Sequence, residues 1–341
     1  MVYIKAARDI ETNLDFIIRS GVGLLTEGMS KAKKFTPSTP FSNYNEKNEY
    51  FNAANNICQF SLWKLERYDL CEIYYAVLLT VIKEYERGNN TNFNKGMVYA
   101  NLGVSQVAQG KIDEGFANIL KAHIEDEPYH RTDPSKSVFK LPLYSQFEDR
   151  TKDFILKHSE LYQKEESKIV DKAFIDRLVS SLETDSRILF ISVVEKIRRN
   201  LEINNDKDNR FTRLQIFLCL QDLCLSIESA LKTKNNLSGT LKPLLDNLFS
   251  TSSGRNRTWK ILFDNNYGFT TSNNPPAFEN NLKEIQKIGD HKARRLLICC
   301  AVRNFSSHNL DVGNDYVFKN IEVIFDNILS AIFFLHDFGC I

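Results

Sequence analysis

Arg303 and His308 are separated by four residues in the run Leu296-Leu297-Ile298-Cys299-Cys300-Ala301-Val302-Arg303-Asn304-Phe305-Ser306-Ser307-His308, with Asn304 directly after the arginine. A guanidinium is always charged and presents a planar fork that matches phosphate. An imidazole exchanges protons near neutral pH. The three residue types together suit chemistry at a phosphodiester. Arg303 would hold the phosphate and offset the charge that develops on it, and His308 would serve as acid or base or position the attacking hydroxyl. Asn304 would orient one of them by hydrogen bonding. The chemistry requires no metal or other cofactor, and the sequence suggests none: Asp311 and Asp315 are too sparse for a carboxylate site, and no C-x-x-C pair occurs. Basic residues flank the motif, with Lys292, Arg294 and Arg295 on the preceding apolar segment and Arg255, Arg257 and Lys260 further upstream. These are candidates to guide a phosphate backbone, while for Arg294 and Arg295 a solvated helix face is an equal expectation.

The elements that must position these residues read as helices almost throughout, because apolar side chains recur with a 3.6-residue period. Residues 2–28 carry Ile10, Leu14, Ile17, Ile18 and Val22 at that spacing, whereas 31–48, with two Pro and several Ser and Thr, reads as a linker. Helices are expected over 48–66, 70–87, 92–109 and 112–125, then a Pro-bearing loop from Pro128 to Pro142. The helical period resumes over 148–165, 168–183, 186–202 and 211–234, with shorter helices at 240–249 and 256–264 and a loop over 265–278. Ile188 to Val194 could form a buried strand, but Asp185 as N-cap and the charged residues after Val194 favour helix. Two strong helices, 281–303 and 315–336, bracket the Arg303–His308 motif.

Composition sets the limits. The chain has 341 residues, 43% hydrophobic, 26% charged and 11% aromatic, enough apolar material for a sizeable core and an expectation of about two domains. Lys plus Arg number 44 and Asp plus Glu 43, so any polyanion needs a local basic site rather than bulk attraction. No uncharged apolar run reaches the length of a membrane span. Lys5, Arg8, Asp9 and Glu11 occupy the place of a signal peptide's apolar region, so a cytoplasmic location is expected. The 7 cysteines read as reduced core thiols.

Within the first half, Gly96 to Pro128 forms two short helices joined by a Gly turn, with small residues at Gly103, Gly115 and Ala122 that would let the pair approach closely. On Tyr99, Leu102, Gly103, Gly110, Gly115, Ala122 and Pro128 the segment resembles a tetratricopeptide repeat (TPR), although Gln106 stands where an aromatic is usual. The preceding pair, 51–87, has similar helix lengths without the small residues. An ordinary antiparallel helical bundle is the plainer alternative. The TPR resemblance implies an interaction module that binds a peptide, protein partner or activator.

The Arg303-Asn304-x-x-x-His308 motif, placed between two long helices, resembles the signature of the HEPN superfamily, small all-α domains found in many prokaryotic ribonucleases. The resemblance covers about residues 185–341, with the motif as its specific part. It implies a metal-independent endoribonuclease that cleaves single-stranded RNA by attack of the 2′-hydroxyl. In that family paired domains bring two motifs together, so a single copy here implies a homodimer. A role in prokaryotic defence or as a toxin follows from the resemblance alone. Tyr two residues after the His, as in some HEPN toxins, is replaced here by Leu310.

The resulting expectation is an all-α protein: TPR-like helical hairpins over 1–165, including the 31–48 linker, then a HEPN-like bundle over 166–341. Arg303, His308 and Asn304 are the expected catalytic residues, with Lys292, Arg294, Arg295, Arg255 and Arg257 on the RNA. The alternatives are a non-catalytic adaptor that dimerises through the second half and binds partners through the first, and a nuclease that stays latent until an activator binds the first half.

Overall fold

The computed structural model describes residues 66–89, 92–130, 138–140, 142–203, 210–250, 257–272, 274–305 and 319–341, together with Cys58. The expected helix over 2–28, the linker at 31–48, most of the helix over 48–66, the run 204–209, Arg255, the side chain of Arg257 and His308 lie outside the described residues. Among the described residues every regular element is helical and no strand occurs, so the fold is all-α.

Contacts divide the chain into two compact units, Met1–Gln146 and Phe147–Ile341. The division falls earlier than the expected boundary at 165. The stretch between them belongs with the second unit because it packs on that unit's last helix: Phe154 stacks on Phe325, the His158 ring meets Asp326 at 2.7 Å, and Tyr162 packs against Phe333.

In the first unit α1 (Tyr68–Asn89), α2 (Gly96–Ala108) and α3 (Ile112–His130) follow in order, and α2 packs against both of the others. The α2–α3 crossing is as close as its small residues allow. A Cβ on Gly103 would lie 2.5 Å from the Gly115 carbonyl oxygen, and one on Gly115 would lie 2.7 Å from that of Gly103. Ala122 is fully buried, and Gly110 takes φ +87° in the turn, a conformation that suits glycine. Gln106 forms a polar bridge: its amide donates to Glu72 of α1 at 3.3 Å and accepts from Asn118 of α3 at 2.8 Å. Helix α3 runs on to His130, so Pro128 lies in its last turn rather than ending it.

The second unit begins within α4 (Pro142–Lys157) and continues through α5 (Glu160–Glu166), α6 (Lys172–Ser181), α7 (Thr184–Arg198), α8 (Arg210–Asn235), α9 (Leu241–Ser250), α10 (Arg257–Asn266), α11 (Pro275–Gln286), α12 (His291–Phe305) and α13 (Ile321–Asp337). Ile188–Val194 is helical, within α7. The expected helix over 148–165 is broken at His158-Ser159. The expected loop over 265–278 holds a 3-10 turn, Tyr267–Thr270, and the start of α11, where the Asn274 side chain accepts from the Ala277 N–H at 2.9 Å ahead of two prolines. The expected single helix over 281–303 is two, because Asp290 caps a new helix by accepting from the N–H groups of Lys292 and Ala293 at 3.0 and 2.9 Å.

Helix α12 is the centre of this unit. Leu296 to Val302 are all buried, and the helix packs against α8, α10, α11, α13 and the 3-10 turn. Each fully buried Leu, Ile or Phe stabilises the fold by roughly 1.5–3 kcal/mol relative to exposure, before chain entropy is counted. All seven cysteines are free thiols buried in the fold, and burial pushes the Cys299 and Cys300 thiols well above their usual range. One helical stretch, Thr212–Asn235 of α8, is long and apolar enough to cross a membrane by length and composition. It packs against α7, α12 and α13 with 61% of its apolar window buried, which is the setting of a core helix.

Candidate functional site

The motif arginine is held from below by a buried carboxylate. Arg303 lies in the last turn of α12, where a cation complements the helix dipole. Its Nε donates to Oε2 of Glu228 on α8 at 3.1 Å. The Glu228 side chain is only 6% exposed, and it also accepts from Lys232 Nζ at 2.7 Å and from the Leu241 backbone N–H at the start of α9 at 3.2 Å. Two cations therefore converge on one carboxylate. The carboxylate lies underneath, while Arg303 and Lys232 reach solvent with 26% and 38% of their side chains exposed.

Asn304 bonds in the opposite direction. Its amide nitrogen approaches the Tyr267 hydroxyl at 3.5 Å and the Thr270 carbonyl and hydroxyl at 3.4 Å each, and its oxygen accepts from Arg303 Nη1 at 3.4 Å. These are long hydrogen bonds, so the 3-10 turn steadies Asn304 without clamping it. Lys242 Nζ lies 5.1 Å from the Tyr267 ring and pairs with Asp246 at 2.6 Å.

Arg303 and Asn304 are thus brought together at one end of α12. Of the expected backbone-guiding residues, Lys292, Arg294 and Arg295 lie toward its other end, in a different setting. Arg295 is completely enclosed: it pairs with Glu165 at 2.9 Å and Glu166 at 3.0 Å, donates to the Ser330 carbonyl at 3.4 Å and packs on the Tyr162 and Phe334 rings. A buried guanidinium needs such partners, and it has no surface to offer RNA, so the expectation for Arg295 is corrected. Arg294 pairs with Glu165, and Lys292 lies 3.6 Å from Glu166 and over the Phe334 ring. Their side chains are about one-fifth exposed (20% and 21%), so both are largely committed within the fold rather than lying on a freely solvated face. Lys260 pairs with Asp246 and Asp264 at 2.8 and 2.6 Å.

Sequence reasoning missed Glu228, Lys232, Tyr267 and Thr270. Glu228 had left a readable signal, as an acid inside the apolar stretch of α8 with Lys232 one turn on. Among the described residues no group of three His, Cys, Asp or Glu is placed to hold a metal ion. No family model, curated protein or solved structure matches the chain.

Proposed function

We propose that the chain is a metal-independent endoribonuclease of HEPN type that cleaves single-stranded RNA, with Arg303 as the phosphate ligand and His308 as the acid or base. The observation that carries this reading is the Glu228–Arg303 pair. A buried carboxylate fixes the guanidinium through Nε at the end of a rigid helix, beside a second cation on Lys232. Such a preorganised positive centre is what a phosphate gaining charge in the transition state requires. The 2′-hydroxyl attacks the adjacent phosphorus, the 5′-oxygen leaves with a proton, and the products are a 2′,3′-cyclic phosphate and a 5′-hydroxyl. His308 takes or supplies one of the two protons, and Asn304 aligns Arg303. In this reading the enzyme is a homodimer whose paired motifs complete the site, the TPR-like first half receives a partner or activator, and the physiological role is prokaryotic defence or toxicity.

Purified protein should cleave single-stranded RNA in EDTA and leave a 2′,3′-cyclic end. Arg303→Ala and His308→Ala should each abolish cleavage with helical circular dichroism unchanged. Cleavage lost on adding EDTA, or full activity in both variants, overturns the mechanism.

The second reading, a non-catalytic helical adaptor, draws on the same ion pair. Glu228 by itself accounts for Arg303 as a structural cation at a helix end. Wild-type protein devoid of nuclease activity, with partners still retained by Arg303→Ala, selects the adaptor.

A further inference from the structure

Two protons move when a 2′-hydroxyl attacks phosphorus and a 5′-oxygen departs, and the motif Arg303-Asn304-x-x-x-His308 supplies one imidazole. Arg303 releases no proton, because a guanidinium stays charged in proteins. The amide of Asn304 is not an acid either. The second proton needs another group close to Arg303, and the described side chains around it narrow the choice. Lys242 is held by Asp246 at 2.6 Å and Asp264 at 3.5 Å, and Lys260 by the same two acids at 2.8 and 2.6 Å. The Cys300 thiol, one turn before Arg303, is enclosed in the core, and burial pushes it well above its usual range.

Lys232 is placed differently. Among the described residues its one partner is Glu228, so one of its three N–H groups is committed, and its side chain reaches solvent on a flexible stem. It donates to Oε1 of Glu228 while Arg303 Nε donates to Oε2. Those two bonds and the width of one carboxylate keep Nζ within about 8 Å of Nε. A phosphodiester that takes a hydrogen bond of about 2.8 Å from a cation on either side spans no more than about that distance. One buried carboxylate thus sets a guanidinium and an ammonium within reach of the same phosphodiester.

We propose that Lys232 is a further catalytic residue of this site: Arg303 holds the non-bridging oxygens, and the Lys232 ammonium meets the bridging 5′-oxygen and protonates it as it leaves. The inference rests on the reading of the site as an RNA-cleaving centre. The O2′–P bond forms as the hydroxyl proton passes to His308. The P–O5′ bond breaks, its electron pair stays on the 5′-oxygen, and that oxygen takes a proton from Lys232. His308 then returns its proton to solvent and Lys232 takes one back, so the protein is restored and the products are the cyclic phosphate and the 5′-hydroxyl. The division follows from the two cations themselves. A guanidinium offers a planar fork and a permanent charge, whereas an ammonium is compact and carries a transferable proton.

The test changes the leaving group. The linkage that the full-length wild type cleaves in single-stranded RNA is mapped, then rebuilt in the same oligoribonucleotide with sulfur as the bridging 5′ atom. Sulfur departs as a stable thiolate and needs no proton. Lys232→Gln should lower kcat on the oxygen linkage by about 100-fold, and on the sulfur linkage by less than about fivefold. Lys232→Arg, which keeps the charge and a partner for Glu228 without a transferable proton, should stay at least about tenfold slow on oxygen. Circular dichroism checks that both variants keep their helices, and the Arg variant serves if the Gln variant unfolds. Equal losses on the two linkages mark a structural or binding role and overturn the proposal. Full activity on oxygen in either variant does the same and leaves the proton to a second copy's imidazole. Wild type inert on RNA removes the nuclease reading and this inference together. Arg303→Ala and His308→Ala inactive, with Lys232→Gln slowing both linkages alike, removes this inference alone.

Discussion

Glu228 shows how one buried side chain can decide what a motif residue does. Its carboxylate satisfies a helix-start N–H on Leu241 and two cations, so replacing it strips three groups of a partner at once. Removing one member of a fully buried ion pair costs about 3–5 kcal/mol, and the partial exposure of Arg303 and Lys232 lowers that. Glu228→Gln, which keeps an acceptor for Leu241, should destabilise the chain by about 1–3 kcal/mol. A double-mutant cycle with Arg303→Gln in urea unfolding should give a coupling of about 1–2 kcal/mol. Strict additivity would instead mean that the contact holds nothing in place. The site was half legible in the sequence for a related reason. Arg303 and Asn304 are adjacent in the chain, so their type and spacing could be read directly. The carboxylate that positions them comes from another helix, and only packing brings it near. Arg295 fails in the opposite way: next to Arg294 it reads as one of two surface cations, yet the helical turn sends it inward to Glu165 and Glu166, from a different part of the chain.

At the scale of elements, closeness of approach is the quantity that sequence and structure share. Gly103 and Gly115 face each other backbone to backbone, so a methyl group at either cannot be accommodated by rotating a side chain. Gly103→Ala gains about 1 kcal/mol of helix propensity but must push α2 and α3 apart, and overpacking of this kind costs about 1–3 kcal/mol. The expected outcome is a net loss of stability. Gly289→Ala, where an added Cβ meets nothing within 4 Å, should be neutral or slightly stabilising. Thermal unfolding of the two variants side by side checks this, and equal behaviour would contradict the close crossing. The small residues of this hairpin were legible because they announce a short-range contact. The breaks were harder. The one at His158-Ser159 contains no Gly or Pro and is held partly by the distant Asp326, which no local pattern reveals. The start of α11 did carry a local signal, Asn274 before Pro275 and Pro276, but in an Asn- and Thr-rich run those residues also read as loop.

For the whole molecule the question is how a chain of net charge +1 engages a polyanion at all. The second unit spends most of its described cations internally. Arg187 and Lys152 close on Glu148, Arg198 and Arg199 on Glu195, Arg294 and Arg295 on Glu165, and Lys242 and Lys260 on Asp246. Burial pushes the Glu148 and Glu195 carboxyls up, but their arginine and lysine partners outweigh it and hold both below the usual carboxylate range, so these pairs stay charged at neutral pH. At Glu228, Arg303 and Lys232 share one acid and both reach solvent. If RNA binds there through both Arg303 and Lys232, one chain makes about two phosphate contacts, and log affinity should fall against log salt with a slope of about −1.4, at −0.7 per phosphate contact on a single strand. A homodimer that brings both sites to one strand doubles this to about −3. Fluorescence anisotropy with a 2′-O-methyl oligonucleotide, which lacks the attacking hydroxyl, measures the slope without cleavage, and sedimentation in the same buffer gives the number of chains bound. A slope near −3 with two chains, halved in Arg303→Ala, fits a paired local site. A slope steeper than about −5 requires a broad basic surface that the paired lysines and arginines of this unit do not supply.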